Sequence, residues 1–208
     1  MELNHKELLT KAKVILQREH PFFSYILFYC KFKPVEQDDN IIGKNQLPVE
    51  TMAIDKYFNI YYNPDFVEKN AQFIKGILIH EIMHVVLKHH PRFEDMVDKE
   101  HQKNQAIANV AMDAVINLSL TKMGISLFSG TIQPDKTTGY LDSVGGQTLD
   151  PQVKVKDRGW EEVYFDLKNQ FKNKKPDSQQ DLIASSGDKN GDKESGEGDG
   201  NSQPNTKD

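Results

Sequence analysis

Apolar positions recur at helical spacing through residues 4–19, where Leu8, Leu9, Ala12, Ile15 and Leu16 fall on one face. That pattern predicts an amphipathic helix, stopped by Pro21. Residues 22–33, FFSYILFYCKFK, are crowded with aromatics and predict a buried strand. The stretch from Lys33 to Pro48 is polar and irregular and predicts an exposed loop. Residues 49–62 predict a hairpin, with VETMAID and YFNIYY as arms and Asp55-Lys56 as the turn. Asn63-Pro64-Asp65 then reads as N-cap, first helical residue and first-turn acid of a short helix.

From Phe73 to Leu87 apolar residues dominate, which marks a buried helix running from about Ala71 to His89. Pro91 should end it, because the residue before proline avoids helical geometry. Residues 92–103 are heavily charged and read as a solvated connection. Residues 104–123 predict a second long helix, with Gly124 as its C-terminal cap. Residues 125–158 carry few periodic apolar positions and three turn signals, Ser129-Gly130, Gly145-Gly146 and Asp150-Pro151. They predict a long loop over a cleft. A last helix is expected from Trp160 to about Phe171.

Composition bounds the picture. The chain has 208 residues, but Gly, Ser, Asp, Asn, Lys and Glu dominate from Pro176 to Asp208, with no aromatic. Such a tail cannot bury enough apolar area to offset its ordering entropy, so it is expected to be disordered. That leaves residues 1–175 as a single domain with a real core. Net charge is −5 and no basic patch stands out, which argues against nucleic acid as a partner. Cys30 is the only cysteine, which excludes an internal disulfide and a cysteine-rich zinc site. The N-terminus lacks the apolar core of a signal peptide, and no run of 18 apolar residues exists. The expectation is a cytoplasmic protein with no membrane association.

The chemistry sits in the apolar helix. His80, Glu81 and His84 form H-E-x-x-H. Residues four apart share a helix face, about 6 Å apart, so two imidazoles there can hold one metal ion. Glu81 is then placed to take a proton from activated water. Two histidines and an acid inside an apolar helix are costly unless something satisfies them, and a divalent cation does so. The plainer reading is a pair of core histidines with ordinary hydrogen bonds.

A catalytic zinc usually takes three protein ligands. His89, nine residues past His80, points to the opposite face of a continuous helix. His90 lies about 15 Å along the axis from His80 and off the face. No glycine follows His84 to turn the chain back, so His90 enters only if Pro91 redirects it. Asp113 sits between Ala111-Met112 and Ala114-Val115-Ile116, where a charge needs a partner. Asn109 and Asn117 share its face and would orient the carboxylate. Against this stands the reading of Asp113 as the exposed side of an amphipathic helix. A donor for a developing oxyanion is also expected, and Tyr140, His89, His90 and Arg92 all qualify. Arg92 reads equally as a surface residue closing the helix C-terminus.

The ordered set of hairpin, Tyr-Asn-Pro-Asp-Phe, H-E-x-x-H helix ending in His-His-Pro-Arg, Asn-x-Ala-x-Asp-x-x-x-Asn and Trp-Glu-Glu-Val-Tyr resembles a bacterial and phage family, the "putative metallopeptidase domain". The likeness covers about residues 15–170. Relatives often precede a von Willebrand factor A-like domain, and some are encoded beside chaperone-like ATPases. The resemblance implies an α+β, zincin-like domain with a small sheet beside the motif helix. It implies Zn2+ on His80, His84 and Asp113, with Glu81 as the catalytic acid/base of a peptide-bond hydrolase. It also implies an ATPase or von Willebrand factor A-like partner, and leaves a rival: a catalytically silent zinc-binding scaffold serving that partner. Where the family has an Asp-Gly turn, this chain has Asp55-Lys56. The YFNIYY strand is expected to be the sheet edge that lines the cleft and receives an extended peptide.

Overall fold

The computed structural model describes residues 3–35, 51–96, 105–128 and 131–172. The acidic tail from Pro176, most of the loop expected between Lys33 and Pro48, and the later part of the charged 92–103 stretch lie outside the described residues.

The first helix, α1 (His5–Glu19), starts at a capping box. Asn4 Oδ1 accepts from the amides of Lys6 and Glu7, and the Glu7 carboxylate accepts from Asn4 N at 3.0 Å. Each partner satisfies an amide that the first helical turn leaves open. The helix buries Leu9, Ala12 and Leu16.

The strand expected over 22–33 is not there. Pro21 opens a helix instead, α2 (Pro21–Leu27), and β1 follows only at Lys31–Pro34. Proline suits a first helical position, where its missing amide needs no partner. Phe23, Ser24 and Leu27 are buried at helical spacing. Phe22, Tyr25, Phe28 and Tyr29 are exposed. Aromatics on both faces hid the period.

The expected hairpin is present as β2 (Met52–Ile54) and β3 (Asn59–Tyr62), antiparallel with Met52 opposite Tyr62. Its turn is longer than Asp55-Lys56. Asp55 Oδ1 accepts from the amides of Tyr57 and Asn59, and the positive φ falls on Phe58 (64°). β1 pairs with β3 in parallel, giving a mixed sheet in the order β1-β3-β2. So, among the described residues, β3 is the central strand and β1 and β2 are the edges, against the expectation that YFNIYY forms the edge. The helix α3 (Pro64–Lys69) begins as its Asn-Pro-Asp predicts, with Asn63 Oδ1 accepting from Asp65 N and Phe66 N.

A single 3-10 turn, Ala71–Phe73, leads into α4 (Ile74–Val86), which carries H-E-x-x-H. This helix ends earlier than expected. Lys88 takes a left-handed φ of 53°, and a separate helix, α5 (His89–Met96), holds Pro91 in its first turn. Proline has no amide for the carbonyl four residues back, and its ring crowds it. That carbonyl belongs to Leu87, and Arg92 Nη1 donates to it at 3.0 Å instead. So Pro91 ends the helix from below, at a distance of one turn.

The long helix α6 (Gln105–Lys122) ends as expected at Gly124, whose φ is 75°. The loop expected over 125–158 contains a hairpin, β4 (Tyr140–Val144) and β5 (Gln147–Lys154). Gly145-Gly146, both with positive φ, make its two-residue turn. A bulge between Leu141 and Ser143 breaks the alternation that would have marked β4 as a strand. The final helix, α7 (Trp160–Lys172), stands where it was read.

The α+β class is as expected. Among the described residues two apolar clusters fill the interior. One joins α1, α2, the mixed sheet and α4 with Ile116 and Leu120 of α6. The other joins α6, from Ile107 to Leu118, with the β4–β5 hairpin and α7. The middle of α6 lies between them, facing α4. Among the described residues no helix is long and apolar enough to cross a membrane.

Candidate metal centre

Helix α4 presents His80 and His84 one turn apart, and α6 packs against α4. Asp113, at the middle of α6, meets both imidazoles. Its Oδ1 lies 3.4 Å from His80 Nε2 and 3.2 Å from His84 Nε2, and the two Nε2 atoms are 3.1 Å apart. Side-chain exposures of 14, 15 and 22% leave the three half-sheltered rather than sealed. They are a group of potential ligand atoms all within 4.8 Å of one another.

Those separations fit a small divalent ion. Ligand atoms about 2.0–2.1 Å from a tetrahedral ion stand roughly 3.3–3.4 Å from each other. Two neutral imidazoles and one carboxylate are also a donor set that such ions take. Without a cation, two imidazole nitrogens and a carboxylate oxygen at these separations need protons between them.

Charge follows the geometry. Burial alone would push the His80 imidazole down, but the Asp113 carboxylate outweighs this, with Glu81 adding, and lifts it to about 9. For His84 burial dominates, the charge of His80 adds to it, and the group falls below its ordinary value despite Asp113. Burial works against the Asp113 carboxylate, yet hydrogen bonds from the two histidines hold it well below the usual range.

The outer nitrogens of the histidines are also engaged. His80 Nδ1 lies 2.8 Å from Asn117 Oδ1. Asn117 Nδ2 donates to Ile132 O at 2.8 Å, which fixes the amide's orientation. An amide oxygen only accepts, so His80 Nδ1 carries a proton, and Nε2 is the nitrogen turned toward Asp113 that would give up its own proton to hold an ion. The expected stripe therefore works differently: Asn117 orients His80 rather than the Asp113 carboxylate.

Glu81 is 8% exposed. Burial lifts its carboxyl to about 7, opposed by the charge of His80 and by a hydrogen bond from the Ile54 amide. Ile54 lies on the edge strand β2. Its carbonyl is 2.9 Å from His90 Nε2, which donates to it. The two backbone groups that Ile54 turns away from β3 are thus both taken by side chains of the α4–α5 segment.

The other candidates are dispersed. His90 is on Ile54, not beside His80 and His84. Arg92 closes the end of α4, as its plainer reading had it, and pairs with Glu161 at 2.8 and 2.5 Å. Tyr140 opens β4 opposite Lys154. His89 is the surprise. On a continuous helix it would point away, but the break at Lys88 brings its Nδ1 to 3.1 Å from His84 Nδ1. It is 1% exposed and its ring tilts against Trp160. Burial and the nearby charges of His84 and Arg92 push it down to about 3, so it is neutral. Sequence spacing missed this contact because it assumed the helix continued. The signal available was Pro91, four residues past Leu87.

Comparison with known proteins places these features. An uncharacterized protein of Thermotoga maritima is 29% identical over 113 residues, 54% of this chain and 25% of its own length. The match thus spans a quarter of that relative. No solved structure matches the chain. A family model matches residues 4–208, which takes in both helices of the histidine–aspartate cluster, and the chain belongs to that family, described as "Putative metallopeptidase domain".

Proposed function

We propose that the protein is a zinc-dependent peptidase of zincin-like architecture, hydrolysing peptide bonds beside the histidines of α4. The observation that carries this reading is the convergence of His80 Nε2, His84 Nε2 and Asp113 Oδ1 at 3.1–3.4 Å, with Glu81 next in sequence to the first ligand. Zn2+ bound there would supply Lewis acidity, polarising the scissile carbonyl and making water a better nucleophile.

The chain's own residues do the rest. His80, His84 and Asp113 hold the ion. Asn117 keeps the His80 ring turned toward it. Glu81 takes the proton of the attacking water and delivers it to the leaving amine. The Ile54 amide aims the Glu81 carboxylate by donating to it. An extended peptide would lie along β2, an edge strand of the mixed sheet among the described residues.

One observation favours a second reading. Ile54 already gives its outward amide and carbonyl to Glu81 and His90. An edge occupied in this way suits a metal-holding scaffold that cleaves nothing and serves an ATPase or von Willebrand factor A-like partner. The comparison that separates them uses wild type and Glu81→Gln, both loaded with zinc, on a peptide library. The peptidase reading expects cleavage by wild type, and in Glu81→Gln a loss of about 100-fold or more with zinc content unchanged. A zinc-loaded wild type that cleaves no peptide supports the scaffold.

A further inference from the structure

We propose that His89 is a positioning residue for His84: its Nδ1 accepts the His84 Nδ1 proton and so turns the His84 Nε2 lone pair toward the ion. The inference rests on the metal-binding reading above and extends it to a residue outside the ligand set.

A histidine that binds a metal through one nitrogen carries a proton on the other, and that proton seeks an acceptor. For His80 the acceptor is Asn117 Oδ1. For His84 the atom in that place is His89 Nδ1, at 3.1 Å. Two imidazole nitrogens can share only one proton. With His84 as donor, His89 Nδ1 is the bare nitrogen and its Nε2 carries the hydrogen. That Nε2 is buried and has no hydrogen-bond partner among the described residues. An unpartnered buried N–H destabilises the fold, so packing against Trp160 would be better served by an apolar side chain. What the imidazole adds over leucine is the acceptor on its other side.

The backbone is bent to deliver it. Lys88 adopts a left-handed φ of 53°, a conformation that lysine resists. Arg92 spans the gap, donating to Leu87 O and pairing with Glu161 beside Trp160. Without this break His89 would sit on the far side of α4.

The test is zinc affinity by competition with a chromogenic chelator, on wild type, His89→Leu and His89→Gln. The glutamine amide oxygen can accept from His84, whereas leucine cannot. We expect His89→Leu to weaken zinc binding by about 10–100-fold and His89→Gln to recover most of the loss. Folded variants that bind zinc as wild type does would overturn the proposal, as would equal losses in both. Should His89→Leu fail to fold, nitrogen-15 correlation spectra of zinc-loaded wild type decide: His84 protonated on Nδ1 and His89 on Nε2 supports it, and His89 protonated on Nδ1 overturns it. A wild type that takes up no zinc removes the parent reading, and this one with it.

Discussion

One carboxylate organises the turn beside the site. Asp55 accepts from the amides of Tyr57 and Asn59, from the Asn59 side chain at 2.7 Å, and from the Tyr61 hydroxyl at 3.3 Å. Partial burial would push its carboxyl up, but these hydrogen bonds outweigh it and hold the group below its ordinary value. The sign of the pH dependence follows. A depressed folded-state pKa gives stabilisation that is complete above the unfolded value of about 4 and is lost as pH falls through the folded one. Asp55→Ala should therefore cost about 1–2 kcal/mol at neutral pH, read by urea unfolding, and the gap to wild type should shrink below about pH 4. An unchanged gap at pH 3 would mean the turn does not depend on the charge. At this scale the sequence was most legible where spacing alone carries meaning, as with His80, Glu81 and His84. It also flagged Asp113, an acid in an apolar helix, which the structure brings beside both histidines. It could not show which ring nitrogen Asn117 meets, because that depends on how two helices are rotated about each other.

At the scale of elements, the break between α4 and α5 matters most. The residue in its left-handed position is Lys88, where glycine would be at ease. Lys88→Gly should stabilise the protein by about 0.5–1 kcal/mol in denaturant titrations, with zinc affinity unchanged. A destabilised variant would mean that the lysine side chain, not the backbone conformation, fixes the break. Elements with clean local signals were legible: α1, α6 and α7 stand close to where the sequence reading put them, and α3 starts where its Asn63-Pro64-Asp65 capping signal placed it. The misreadings have local causes. In α2, exposed aromatics interleave with buried ones. In β4, a bulge interrupts alternation. In α4, the effect of Pro91 reaches back to Leu87, so the helix stops before the residue that proline directly restricts.

At the scale of the molecule, α6 belongs to both apolar clusters and so couples them. Trp160, the chain's one tryptophan, lies in the cluster of α6, α7 and the β4–β5 hairpin. Its fluorescence should lose native intensity in the same urea transition that far-UV circular dichroism reports for the whole chain. Two separate midpoints would show that the halves unfold independently. The approach of α4 to the segment after α6 is equally tight. A Cβ at Gly76 would run into the Ser126 carbonyl oxygen, a backbone atom that cannot swing aside. Gly76→Ala should cost about 1–3 kcal/mol.

These helices converge on the three side chains that the account places around an ion, and metal content measures that directly. Elemental analysis of purified wild type, followed by zinc titration, should find close to one divalent ion per chain. Asp113→Ala and His84→Ala, folded by circular dichroism, should each lose it, whereas His90→Ala, altered at a residue bound to Ile54, should keep it. A folded wild type that carries no metal and takes up none on titration would contradict the account.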